Sequence, residues 1–386
     1  MAWTVQGDST ASPYRQEITA AEGQFSGSGH DVYWLQTKDF SDEFRDTDEA
    51  SSIASGGATL RICTSSDGAT GRLAIDIVAC VPNAVGSNAD ILIAVEGAGF
   101  DDSTSGQKLY AFWGGSGNTQ PAASATYGSE AVYSSGYKIY APCEEDPSGS
   151  SPQMTDRTSN SNDGTTSGSM TSGDLISANI RNGLDLDGSD DRVSFGDVTA
   201  LNSASSATIS VWAKQDTIDQ RRFLFGKDSV GSTAAIGLQT YDDGNAYWYT
   251  NNGSSAYGYW NYSNNVTAGT WHHWCFVFDG AGSGNSGRAK LYIDGTAITL
   301  TYAGTIPSAF ADMSSDDFYL GDNTLVTNRR WNGDVDELIV TDAAQSADWI
   351  TSYYNNTKSS STMFSAGTFT DGSEEESNLL MGCGVV

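Results

Sequence analysis

Short apolar runs, each closed by a turn dipeptide, recur along this chain, and apolar residues almost nowhere recur at helical spacing. That pattern is the signal of half-buried strands. Residues 60–63 and 73–78 flank Asp67-Gly68, a hairpin turn pair. Residues 91–95 and 108–113 are further strands. Residues 207–213 alternate, as do 273–278, and 289–293 close on Asp294-Gly295. Residues 317–321 and 335–340 complete the series. So many strands joined by turns call for an all-β fold built as sandwiches or jelly rolls. One helix is expected, from Ser346 to Tyr354. Ser346 caps it, Asp348 lies in its positive first turn, and Trp349 and Tyr353 share a face.

A chain of 386 residues holds two or three domains. The first is expected at 1–135 as a β-sandwich with a possible anchoring role. Three of the seven prolines (Pro142, Pro147, Pro152) mark the turn-rich stretch that follows. Strands resume near 180 and run to 356. A tail at 358–386 carries Glu374-Glu375-Glu376 and then Leu379-Leu380-Met381. It reads either as a frayed terminus or as a strand added to a neighbouring subunit.

The formal charge of −29 argues against nucleic acid or an anionic membrane as partner, because both select basic faces. No apolar run reaches the roughly 20 residues of a membrane span. The first 20 residues have neither a basic nor an apolar leader region, so export by a signal peptide is not expected. Yet low charge density (17%), 43 glycines and abundant aromatics resemble an extracellular protein. Assembly inside a cell and release by lysis, as for a phage virion, reconciles the two. Five cysteines without a CxxC pair make neither a disulfide framework nor a zinc site. Cys63, Cys80 and Cys275 sit in apolar strand runs and are expected as buried thiols.

The stretch NGLDLDGSDDRVSF (182–195) resembles the opening of LamG-like, concanavalin A-like jelly rolls. TISVWAK (208–214), TWHHWCFVFDG (270–280), LYIDG (291–295) and NGDVDELIVTDAAQSADWITSYYNN (332–356) follow in the order of that family. The resemblance implies a jelly roll at 136–357, including its lead-in loop, and a general binding role. PYRQEITA (13–20) and KLYAFWGG (108–115) resemble an uncharacterised β-rich domain that often precedes such jelly rolls.

Glycosidases of that superfamily place paired carboxylates on one strand face, and that pattern does not occur here. Asp334 and Asp336 share a face while Glu337 takes the other, which points to a structural role. His272 and His273 are adjacent, so on a strand they point to opposite faces. No enzyme is expected, and no cofactor is required. Asp187, Asp190 and Asp191 form an oxygen-rich loop, the candidate Ca²⁺ site. The strongest functional signal is YWYTNNGSSAYGYWNY at 247–262. Alternation gives this hairpin a tyrosine face and a tryptophan face, one core and one a platform for sugar rings. Trp248, Tyr257, Tyr259 and Trp260 are therefore glycan-binding candidates, and Trp331 after two arginines is another.

The expected protein is a non-enzymatic phage virion surface component, such as a tail fibre, head fibre or decoration subunit. It would be exposed outside the cell after lysis, bound to other virion proteins, and would bind host or environmental polysaccharide. A closed homo-oligomer is expected, a trimer first. The rivals are a bacterial cell-surface adhesin and a polysaccharide-degrading enzyme on the same fold.

Overall fold

The computed structural model describes residues 2–27, 31–133, 136–218, 220–228, 235–252, 255–314, 316–323 and 328–372. The chain divides into two compact units, one of Met1–Ser135 with Asn355–Val386, the other of Gly136–Tyr354.

In the first unit, β1 (Tyr14–Ala20), β3 (Arg61–Cys63), β4 (Arg72–Leu73), β7 (Lys108–Trp113) and a late strand, Phe364–Asp371, form one antiparallel sheet. A second sheet holds β2 (Val32–Gln36), β5 (Ile75–Val81) and β6 (Asp90–Glu96). Ile18, Ile62, Leu109 and Trp113 from one sheet pack with Tyr33, Leu35, Ile93 and Val95 from the other. This is a sandwich, as expected. Residues 73–78 are not one strand, however. The Asp67-Gly68 hairpin pairs β3 with β4, and the chain changes sheets at Ala74. Buried Ala74 is held there by Glu96, whose carboxylate accepts its N–H while the Glu96 N–H bonds its carbonyl.

The tail at 358–386, read as a frayed terminus or as a strand for a neighbouring subunit, instead supplies a strand to its own unit. Phe364–Asp371 runs antiparallel to β1, from Tyr14 opposite Asp371 to Ala20 opposite Phe364, and Met363 and Phe364 join the core. Residues 374–381 and Cys383 lie outside the described residues, as does His30. Buried Asn356 performs a related task at β2. Its amide oxygen accepts the Trp34 N–H at 2.7 Å and its amide nitrogen donates to the Trp34 carbonyl at 2.9 Å. One side chain thus bonds a strand edge as a neighbouring strand would. Asn356→Ala is expected to lower stability by about 2–4 kcal/mol in urea titration, because both bonds to a buried edge are lost together.

The second unit is a sandwich of two larger antiparallel sheets. Its strands are β8 (Tyr137–Ala141), β9 (Thr165–Ser167), β10 (Leu175–Ser177), β11 (Asn182–Asp187), β12 (Arg192–Ser194), β13 (Ser206–Gln215), β14 (Arg222–Asp228), β15 (Ala235–Thr240), β16 (Asn245–Asn251), β17 (Tyr257–Asn261), β18 (Trp271–Asp279), β19 (Ala289–Ile293), β20 (Thr296–Ile298), β21 (Thr301–Ala303), β22 (Phe318–Leu320) and β23 (Asn332–Thr341). One sheet runs β10-β11-β23-β13-β18-β19-β20. The other runs β21-β17-β16-β15-β14-β22-β12-β9. The stretch from 136 to 170 is therefore built into the sandwich, through β8 and β9.

β11 pairs with β23 as far as Val335, and β8 takes over the same edge from Leu338. Asp336 and Glu337 sit at that junction. Glu337 has φ +56°, where the β13–β23 register slips. Gly333 is required nearby, since a Cβ there would run into the Lys214 carbonyl. The central strands of the first sheet, β13, β18 and β23, are buried on both faces. Ile209, Val211 and Ala213 enter the core, while Trp212 and His273 stack against Tyr353 and Tyr354 of the helix Ala347–Thr357. Ser346 caps this helix as expected, accepting the Trp349 N–H at 3.1 Å. The second sheet, from β21 to β9, has no such helix on its outer face among the described residues, and that open face carries the candidate site.

Candidate functional site

Strand alternation decides the hairpin. Trp248, Ala246 and Trp260 point into the core, and Tyr247, Tyr257 and Tyr259 point outward. Trp248 stacks on Phe276 with ring centroids 3.9 Å apart, and Trp260 meets Trp274 edge-on. Trp331 is also in the core, edge-on to Trp274 at 6.3 Å, rather than stacked on an arginine. Trp248, Trp260 and Trp331 are thus not binding residues. Indole is the largest apolar surface available, and burying it outweighs displaying it.

The tyrosines make a continuous aromatic surface. Tyr247 and Tyr259 stack at 5.4 Å, Tyr257 lies 5.5 Å from Tyr247, and Tyr241 joins at 4.5 Å. Arg221 covers Tyr241 at 4.8 Å and pairs with Asp242 at 3.0 Å. The Tyr247 hydroxyl donates to Asp243 at 3.1 Å; burial, then this carboxylate, push its pKa up to about 12. The hydroxyls of Tyr257 and Tyr259 have no protein partner among the described residues. Of this surface the sequence named Tyr257 and Tyr259 as candidates; Tyr247, and Tyr241, which sits before the hairpin and joins it through the turn at 242–244, are added by the structure.

Register extends the surface into a row across the sheet. Thr165, Ser194, Tyr319, Gly226, Gly237, Tyr249, Tyr257 and Ala303 stand directly opposite one another, strand to strand. Directly opposed residues share a face. The two central glycines leave a bare strip, and Asn323 and the Tyr249 ring lie across it. A Cβ at Gly226 would meet that of Asn323 at 2.8 Å. Asn323 donates to Asp228, and the Tyr249 hydroxyl is 3.5 Å from the same carboxylate. Burial, reinforced by the charges of Asp316 and Asp322, pushes Asp228 up to about 7. Asp322 is instead held by Arg192 at 2.8 Å and Arg330 at 3.0 Å. Both carboxyls are covered, Asp228 at 4% exposure and Asp322 at 1%.

The loop after β11 brings together the carboxylate oxygens of Asp187, Asp190 and Asp191, all within 4.8 Å of one another. Asp187 accepts the N–H groups of Ser189 and Asp190, and burial raises Asp191 to about 6. Arg330 donates to the Ser189 carbonyl of this loop. His272 bonds Asp294 at 2.7 Å, while His273 is buried against Ser210, so the two do not meet at one site. Asp336 and Glu337 are fully buried, and both are pushed up by desolvation and, for Asp336, by the charge of its neighbour. Both lie inside the fold, away from solvent. Cys63, Cys80, Cys143 and Cys275 are free, buried thiols.

Residues 187–351 match the Laminin_G_3 family, described as the concanavalin A-like lectin/glucanases superfamily, so this part of the chain is a concanavalin A-like jelly roll. No curated protein sequence matches the chain. Among solved structures, domain 4 of AbnA, a GH43 extracellular arabinanase from Geobacillus stearothermophilus in complex with arabinotriose, is similar at 20% identity and a TM-score of 0.42, over 57% of this chain and 100% of that one. The binding domain of Paraclostridial Mosquitocidal Protein 1 is similar at 13% identity and 0.43, over 57% and 52%. The Botulinum neurotoxin serotype D binding domain is similar at 14% identity and 0.41, over 58% and 52%. The chain thus spans about half the length of the two toxin domains.

Proposed function

We propose that this concanavalin A-like jelly roll is a glycan-binding module without catalytic activity, and that its binding face is the tyrosine surface of the open sheet. The observation that supports the reading most is the outward stacking of Tyr247, Tyr257 and Tyr259, with the Tyr257 and Tyr259 hydroxyls free of protein partners among the described residues. Flat apolar rings accept the C–H face of a sugar, and unspent hydroxyls bond its edge. The net charge of −29 favours neutral glycans over acidic ones.

A non-catalytic reading fits the carboxyls of this face. Glycoside hydrolysis needs one protonated and one ionised carboxyl flanking the bond. Asp228 and Asp322 lie beneath this face, but Asn323 covers the first and two arginines hold the second. Ca²⁺ at Asp187, Asp190 and Asp191 belongs to the proposal as a stabilising ion, outside the binding face.

The wider proposal is a phage virion surface protein (tail fibre, head fibre or decoration subunit), in a homo-oligomer, with the jelly roll presented to polysaccharide. Composition and the lectin-like fold support it.

Calorimetric titration with neutral polysaccharide fragments tests the binding face. The double substitution Tyr257→Ala and Tyr259→Ala is expected to weaken binding at least about tenfold, each lost stacking platform contributing about 1 kcal/mol. The melting temperature should hardly change, because both rings stand on the surface. Unchanged affinity would refute the assignment of this face.

A further inference from the structure

We propose that a groove at the opposite edge of the open sheet is a second binding site, for a polyhydroxylated ligand unit that carries no negative charge. It does not rest on the tyrosine-face reading. The groove has a volume of about 550 Å³ and lies over β9, β12 and β22. Tyr319, Arg192, Ser194, Asp163, Asp197 and Asp317 carry its chemistry.

Each of the three carboxylates is fixed through one oxygen. Asp163 accepts the Asp156 N–H at 2.9 Å. Asp197 accepts buried Lys227 at 2.6 Å and the Asn202 amide at 2.9 Å. Asp317 accepts the Ser194 hydroxyl at 2.8 Å and lies 3.3 Å from the Tyr319 hydroxyl. The second oxygen of each has no protein partner among the described residues. Three pre-set acceptors on one groove suit hydroxyl or ammonium donors. Tyr319 supplies a ring, held in place by the Arg192 guanidinium 5.3 Å from its centroid. Arg192 shares Asp322 with Arg330, and Lys227 is spent on Asp197, so with Asp163 and Asp317 four carboxylates face three cations. Asp163 and Asp317 therefore leave the groove negative, and a carboxylated or sulfated unit would be repelled. From β22 to β16 is three strand steps, roughly 15 Å, so this groove is distinct from the tyrosine surface.

The test uses the full chain and three probes of equal length: trimers of N-acetylglucosamine, glucosamine and galacturonate. Binding is read by ligand-observed saturation-transfer NMR and calorimetry. The neutral or amino trimer is expected to bind wild type and the Tyr257→Ala/Tyr259→Ala variant alike at this groove. Asp163→Asn with Asp317→Asn should weaken that binding about tenfold or more, since charged-group hydrogen bonds are lost at unchanged shape. The galacturonate trimer should not bind there. If neither the neutral nor the amino trimer binds wild type, or the double Asn variant binds as well as wild type with an unchanged melting curve, the groove is not a site. Equal binding of galacturonate also overturns the proposal. If only the tyrosine substitutions abolish binding, the tyrosine surface stands and the groove falls; the reverse pattern separates them the other way.

Discussion

Trp248→Ala is expected to cost about 3–5 kcal/mol and to lower the melting temperature of the Gly136–Tyr354 unit by about 10 °C. The indole is fully buried between the two sheets, stacked on Phe276 at 3.9 Å and near Phe278 at 6.5 Å. Its removal leaves a void that a two-sheet core closes poorly, because both walls are held by strand ladders. The consequence separates two ideas that the hairpin sequence alone leaves joined. Loss of glycan binding in Trp248→Ala would follow unfolding. Loss in Tyr257→Ala/Tyr259→Ala would follow the missing surface. Differential scanning calorimetry of both variants distinguishes them. A Trp248→Ala protein that melts like wild type would contradict the assignment of this residue to the core.

The protein is expected to be more stable at pH 5 than at pH 8, by at least about 5 °C in melting temperature. Burial, partly offset by Lys38, raises Asp39 to about 6; burial also raises Asp191 to about 6 and Asp228 to about 7. The Asp336–Glu337 pair is shifted upward in the same direction. Unfolded, these carboxyls titrate near 3.8, or 4.5 for glutamate. Between those values and the folded ones, the folded chain binds more protons, so raising the pH removes stability. His273 acts in the opposite sense. Burial lowers it from 6.5 to about 3, so acid destabilises through it over that window, but it is one group against five. Glu337→Gln, which keeps the shape and deletes the charge, should raise the melting temperature at pH 8 and flatten the profile. A wild-type melting temperature that climbs from pH 5 to pH 8 would contradict these buried protonated carboxyls.

Period-two alternation made the strands legible, and Ser346 with Trp349 and Tyr353 made the helix legible, because these are local signals. The outward face of 247–262 was not. Tyrosine and tryptophan both combine an apolar body with a polar tip, and only the packing of Trp248 on Phe276 and of Trp260 on Trp274 decides. Trp331 carried no usable local signal either: it precedes β23, and its burial comes from Trp274, far away in sequence. The row from Thr165 to Ala303 depends on the register of eight strands, and no window of sequence contains it. The groove has the same character, uniting residues near 163, 194 and 319. The change of sheet at Ala74 leaves no local mark, because residues 73–78 alternate as one strand would. The pairing of Phe364–Asp371 with β1 joins opposite ends of the chain, a contact that periodicity does not encode.

The central claim is that the tyrosine surface binds glycan without cleaving it. Hydrogen–deuterium exchange of the intact chain, with and without a neutral polysaccharide that it retains, tests this most directly. Protection is expected in peptides covering Tyr241, Tyr247, Tyr257 and Tyr259, with no new reducing ends in the polysaccharide. Unchanged exchange across those peptides while the polysaccharide is bound, or steady release of reducing ends, would contradict it.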